Sequence, residues 1–268
     1  MTTLTTAPLS PLLDRLFAEA EAPASPSMRA ALSRLTADER TRLSTSPAEP
    51  DYRTFYVIAK DAYLAVSRDT AKLLYLLTRS TNARTIVEFG TSMGISTLHL
   101  AAALRDNGGG QIITTEFEPS KTDRARANFI AAGLEDLIEL REGDALQTLA
   151  HDLPDQIDLV LLDGAKALYP AILTLLEPHL RTGSLLVADN ADDSPEYLQH
   201  VRSTTNGYVS IPFADDVELS MRTRDSGDEH DPIAGTGGAG PDSLDLGQRD
   251  GLGAYVKGAF AYRLDELG

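Results

Sequence analysis

Asp158-Leu-Val-Leu-Leu-Asp163 runs into Gly164-Ala165-Lys166, and Ser184-Leu-Leu-Val-Ala-Asp189 runs into Asn190. Both are short runs of branched apolar residues that end in an acid. A strand buried on both faces reads as such a continuous run, which is the mark of a parallel sheet covered by helices. Neighbouring strand ends in an open sheet of this kind form the crevice where ligands bind. Two carboxylates and an amide there offer three hard oxygen ligands, and Lys166 lies one helical turn beyond Asp163. The pattern points to a divalent-metal site with a nearby base, and so to an enzyme.

Outward from these runs the chain alternates strands and helices. Strands are expected near 84–89, 111–116, 137–141, 157–163 and 184–189, with helices over 95–105, 119–132, 145–152, 167–180 and 194–203. Five βα units in succession predict a doubly wound α/β sheet. Gly207-Tyr-Val-Ser-Ile-Pro-Phe213 and Val217-Glu-Leu-Ser-Met-Arg222 follow with only a short connection between them. Strands joined that closely are antiparallel, so a terminal hairpin closes a seven-stranded, mostly parallel sheet. Upstream, Ser10-Pro11 with Leu12, Leu13, Leu16 and Phe17 reads as a capped amphipathic helix. A second helix is expected over 25–43 and a third from Tyr52 to Thr78. The chain thus divides into a helical extension (1–50), the α/β domain (51–223) and an acidic, Gly-rich tail (224–268), the last expected to be largely disordered.

Bulk properties exclude several functions. A formal charge of −16 argues against a nucleic-acid partner, since phosphate binding needs a basic face. The chain contains no cysteine, which removes thiolate catalysis, thiolate metal ligation and disulfides. No basic, apolar leader precedes Arg15 and no apolar run approaches membrane-spanning length, so a soluble cytoplasmic protein with no membrane partner is expected.

Thr85-Ile-Val-Glu-Phe-Gly90 leads into Thr91-Ser92-Met93-Gly94-Ile95-Ser96 and then a helix. Glycines at such a turn let a ligand approach the backbone, and helix N-terminal amides favour an anionic group. The next strand ends at Glu116, where an acid can grip a ribose hydroxyl. A glycine needed merely to pack the helix accounts for the turn equally well. Gly90-Thr-Ser-Met-Gly94 also matches the G-x-S-x-G elbow of α/β hydrolases, with Ser92 as nucleophile. That reading lacks its upstream glycine loop, because no glycine precedes Gly90.

With glycine turn, acid and metal trio in this order, the chain resembles the class I S-adenosylmethionine-dependent methyltransferases. More narrowly it is similar to the metal-dependent O-methyltransferases of the catechol and caffeoyl-coenzyme A type. The likeness runs from about Leu64 to Thr223 and is densest in Leu185-Leu-Val-Ala-Asp-Asn-Ala-Asp-Asp-Ser-Pro-Glu-Tyr-Leu-Gln-His-Val-Arg202. It implies a Rossmann-like methyltransferase fold, S-adenosylmethionine as cofactor, a small aromatic acceptor and a homodimer. By position, Glu88, Gly90, Thr91, Gly94 and Ser96 correspond to the cofactor loop, with Ser96 on the methionine carboxylate beside the backbone of Val66. Glu116 corresponds to the ribose ligand and Asp144 to the residue beside the adenine. Asp163, Asp189 and Asn190 correspond to the ligands of a divalent metal, Mg²⁺, and Lys166 to the general base. Asp163 would also face the cofactor's amino group, and Asp216 or Glu218 would bond a second acceptor hydroxyl.

The chain departs from the family in having Ala165 beside the base and no tryptophan anywhere. Tyr63, Tyr169 or Phe213 would have to supply the aromatic wall, so the acceptor's identity stays open. A metal-independent methyltransferase and a non-catalytic cofactor-binding protein are the competing readings. The five histidines are scattered singly, and His99, His151, His179 and His200 read as helix-surface or packing residues.

Overall fold

The computed structural model describes residues 1–23, 33, 36, 53, 56, 57, 59–203, 205–213 and 216–224. The helix expected over 25–43, most of 52–58 and the tail from 225 lie outside these residues.

Seven strands make one sheet: β1 (Thr85–Phe89), β2 (Gln111–Glu116), β3 (Ile138–Glu142), β4 (Ile157–Leu162), β5 (Leu180–Ala188), β6 (Tyr208–Phe213) and β7 (Val217–Arg222). Their order is β3-β2-β1-β4-β5-β7-β6. The first five run parallel, and β7 pairs antiparallel with both β5 and β6. The central strands are buried along nearly their whole length, as their unbroken apolar runs require. Strand order reverses between β1 and β4, which makes their C-terminal ends the topological switch point.

One face carries α1 (Leu9–Glu21), α2 (Arg68–Ser80), α3 (Ile95–Asp106) and α4 (Pro119–Ala132). The other carries α5 (Ala145–Thr148), α6 (Tyr169–Leu176) and α7 (Pro195–Arg202). Leu9, Leu12, Leu13, Leu16 and Phe17 recur at helical spacing on α1 and enter the same core as Leu74 and Leu98. Asp106, at the end of α3, accepts the Thr3 amide and the Tyr75 hydroxyl, which fastens the N-terminus to the domain.

Three expectations need correction. The helix expected from Tyr52 to Thr78 is interrupted: a short 3₁₀ turn (Ala59–Asp61) gives way to extended backbone before α2 begins at Arg68. Ser67 causes the restart, since its side chain accepts the Thr70 amide at 3.0 Å as an N-cap. Ser10 does not cap α1 but lies within its first turn. The single helix expected over 167–180 is a 3₁₀ turn (Lys166–Leu168), then α6, then a second 3₁₀ turn (Glu177–His179) with proline inside it.

Candidate active site

A cleft with about 530 Å³ of space, open to solvent, lies at the C-terminal ends of β1, β2 and β4. Gly90 and Asp163 line it at the switch point, Glu116 at the end of β2, and Asp144 beyond β3. Four of the sequence-selected cofactor residues therefore share one cavity. Phe117 and Ala145 also line it, each directly following one of the acids, and Tyr56 and Leu64 come from the segment before α2.

The glycines at this end are explained by packing as well as by ligand approach. A Cβ on Gly90, at φ +102°, would stand 2.5 Å from the Asp163 carbonyl oxygen, and one on Gly164 would stand 2.4 Å from the Phe89 ring. These contacts let the turns after β1 and β4 close against each other. Gly94, at φ +85°, starts α3 against the Phe129 ring.

The remaining predicted cofactor residues sit behind the cleft wall. Glu88 is fully buried, and its carboxyl accepts the hydroxyls of Ser96 (2.6 Å), Thr97 (2.5 Å) and Thr114 (2.5 Å). Burial raises the Glu88 carboxyl, while these three donors pull it back. The Thr91 hydroxyl bonds Thr114 at 2.6 Å and the Thr115 carbonyl at 3.0 Å. The Val66 side chain belongs to the core, and Leu64, two residues earlier, lines the cleft. Glu116 holds the glycine turn directly, accepting the Ser92 amide at 2.8 Å and the Glu118 amide at 2.9 Å. Asp144 caps α5 by accepting the Leu146 amide at 3.0 Å and pairs with Arg53 at 2.9 Å.

Beside the cleft, the ends of β4 and β5 bring Asp163, Lys166, Asp189 and Asn190 together. Lys166 Nζ stands 3.3 Å from Asp163 Oδ1 and 5.3 Å from the centre of the Tyr169 ring, and it is almost wholly buried. The two acids are close enough to act on each other's ionisation. Burial raises both carboxyls; the charge of Asp163 raises Asp189 further, and Lys166 lowers both. Two buried acids facing one ammonium have charge capacity for a further cation. Their donor set, with the Asn190 amide, is the hard oxygen chemistry that Mg²⁺ takes. Asn190 is left-handed (φ 49°), and its Nδ2 donates to Asp216 Oδ2 at 3.0 Å, so its side-chain carbonyl oxygen is the atom that could ligate a cation.

Of the two acids expected near a second acceptor hydroxyl, Asp216 stands beside Asn190, whereas Glu218 is turned into the hairpin. Glu218 is gripped by Arg202 at 2.6 and 2.8 Å and by Ser210 at 2.5 Å within the hairpin. Tyr169 is not an aromatic wall either. It is fully buried, and its hydroxyl lies 2.7 Å from the Leu162 carbonyl and 2.8 Å from that of Asp189. Tyr63 is engaged by Glu19 and Arg124, and Phe213 is exposed at the end of β6.

The hydrolase alternative does not assemble. The Ser92 hydroxyl accepts the Leu64 amide at 3.3 Å, whereas His200 bonds Glu177 on the far side of α7.

Sequence reasoning missed Lys121, which lines the cleft yet is only 1% exposed. Burial lowers its ammonium, and Glu116, Glu118 and Asp163 counter that. A lysine two residues into a Pro-Ser-Lys-Thr helix start reads as a solvated first turn, so no local signal marks it.

A family model described as a methyltransferase domain matches residues 87–191. A Mycolicibacterium smegmatis protein provisionally named an O-methyltransferase is 30% identical over 148 residues, which cover 50% of this chain and 70% of that protein. The chain belongs to the O-methyltransferase family. Within this O-methyltransferase family, the catechol O-methyltransferase of Mycobacterium tuberculosis is 35% identical over 127 residues, 47% of this chain and 57% of that protein. The chain thus spans little more than half the length of the curated catechol relatives it matches. Among solved structures, the O-methyltransferase TomG of Streptomyces achromogenes, involved in tomaymycin synthesis and solved with S-adenosylmethionine, superposes with a TM-score of 0.54. It is 26% identical, and the match covers 79% of this chain and 96% of TomG. No helix among the described residues is long and apolar enough to cross a membrane.

Proposed function

We propose that this chain moves a methyl group from S-adenosylmethionine to a hydroxyl of a small catechol-like acceptor. In this reading Asp163, Asp189 and Asn190 hold a divalent cation, Mg²⁺, and Lys166 is the general base. The observation that carries it is the convergence of these four side chains at the ends of β4 and β5, directly beside the cleft that Gly90, Glu116 and Asp144 line.

S-adenosylmethionine supplies a methyl group activated by its sulfonium. Glu116 accepts the ribose hydroxyl protons, Asp144 serves the adenine end, where Phe117 and Ala145 also line the cleft, and Asp163 faces the amino group. A divalent cation held by Asp163, Asp189 and Asn190 would supply Lewis-acid chemistry, lowering the pKa of an acceptor hydroxyl. Lys166 acts as base in its neutral amine form, having given its own proton to solvent beforehand, and accepts the proton that this hydroxyl sheds as the oxygen–carbon bond forms and the sulfur–carbon bond breaks. S-adenosylhomocysteine and the methyl ether are the products. Asp216, held beside Asn190, is placed to accept the proton of a second, vicinal hydroxyl.

The test is to incubate the protein with S-adenosylmethionine and a panel of catechols, with Mg²⁺ or with EDTA, and to weigh the products. A gain of one methyl that disappears with EDTA supports both reaction class and metal dependence. Transfer that survives EDTA keeps the methyltransferase and removes the metal; no transfer to any catechol removes the acceptor assignment.

A further inference from the structure

Lys121 breaks three local rules at once. It occupies the first turn of α4, where the helix dipole disfavours a cation. Only 1% of it is exposed, although burying an unpaired ammonium is costly. Its Nζ forms neither a hydrogen bond nor a salt bridge among the described residues. Local conflicts of this kind concentrate at functional sites. The acids that act on it, Glu116 and Asp163, both line the cleft that Lys121 itself lines. On the same wall the Thr115 hydroxyl is buried without a partner among the described residues. The cleft thus holds polar groups that the folded chain leaves unsatisfied.

A sugar hydroxyl is both donor and acceptor. The Glu116 carboxylate can take its proton but offers nothing to its lone pairs, and the amides of Ser92 and Glu118 already bond both carboxylate oxygens in place. An ammonium lining the same cleft as that carboxylate supplies the missing half. We propose that Lys121 is a cofactor-binding residue whose ammonium donates to the oxygens of the ribose hydroxyls that Glu116 receives. The pair then reads a vicinal diol by acceptor and donor together, and selects ribose over a deoxy sugar. This rests on the cofactor reading proposed above.

The test is calorimetric titration of the wild-type chain and of Lys121→Met with S-adenosylhomocysteine and with its 2′,3′-dideoxy analogue. A hydrogen bond from a charged donor predicts that Lys121→Met weakens S-adenosylhomocysteine by about tenfold or more. The same substitution should leave the dideoxy analogue unaffected, because the hydroxyls that Lys121 serves are missing. Equal binding of S-adenosylhomocysteine by variant and wild type overturns the proposal. So does an equal loss for both ligands, which marks Lys121 as a structural residue. A wild-type chain that binds no S-adenosylhomocysteine overturns the cofactor reading itself, and this proposal with it. If Lys121→Met fails to fold, Lys121→Leu, which also lacks a donor, carries the same comparison.

Discussion

The Tyr169 hydroxyl donates to the backbone carbonyl of Asp189 across 2.8 Å, and the Leu162 carbonyl shares the same proton at 2.7 Å. One side chain from α6 therefore ties the end of β4 to the end of β5, where the candidate ligands sit. Tyr169→Phe removes this strap without changing the ring that Lys166 covers. The Leu162 carbonyl keeps the Asp189 amide at 2.9 Å, but leaving the buried Asp189 carbonyl without its donor should cost about 1–3 kcal/mol of stability. The Mg²⁺ concentration for half-maximal turnover should rise, while S-adenosylhomocysteine affinity stays unchanged. A denaturant titration and a metal titration of initial rates check both parts. An unaltered metal response would leave Tyr169 a packing residue only.

Asp189 belongs to the ligand cluster but not to the cofactor cleft, whereas Asp163 lines both. Asp189→Ala should therefore abolish methyl transfer and leave S-adenosylhomocysteine binding intact. Asp163→Ala should damage both. Full activity in either variant refutes the metal assignment.

Loss of a general base typically slows a reaction by roughly 10²–10⁴-fold. Lys166→Ala should lower kcat within that range and spare cofactor binding. A kcat–pH profile identical to the wild type would make Lys166 structural.

Most of the fold could be read from apolar runs because they report burial on both faces. The start of β5 could not. Arg181, Thr182 and Gly183 are exposed and polar, yet the strand begins at Leu180, opposite Ile157, with an irregular register before Leu159. Long-range contacts hid more of the site. Thr114 and Thr97 carry no signal of their own, and only folding gathers them on Glu88. Asp163, Asp189 and Asn190 were legible because strand ends fix their neighbourhood. Lys121 was not, because its burial is set by packing between β2, α4 and the turn after β1 rather than by its sequence neighbours.

The α1 helix contributes no residue to the cleft but shares the main core. Leu16 is 1% exposed and lies one turn from Leu12 and Leu13 on the buried stripe. Leu16→Ala should destabilise the whole domain by about 2–5 kcal/mol, in one cooperative transition. Separate melting of α1 before the domain would refute the shared core.

His99 gives acid sensitivity a definite origin. It lies on α3 with its Nδ1 2.8 Å from the Ile95 carbonyl and its ring edge-on to Phe17 at 5.9 Å. Burial lowers its pKa from the ordinary 6.5, and the nearby charge of Lys72 adds to the effect. The unfolded chain then binds a proton below pH ~6.5 that the folded chain refuses, so this residue's contribution to stability falls as pH drops through that value. Each unit of depression is worth about 1.4 kcal/mol. Buried carboxyls such as Glu88 and Glu116 act with the opposite sign, since acid relieves the cost of burying their charge. Comparing wild type with His99→Leu cancels those terms. Denaturant titrations from pH 8 to pH 5 should show the wild type losing stability relative to His99→Leu below pH ~6.5, with a constant difference above it. Parallel curves across the whole range would remove His99 as the source.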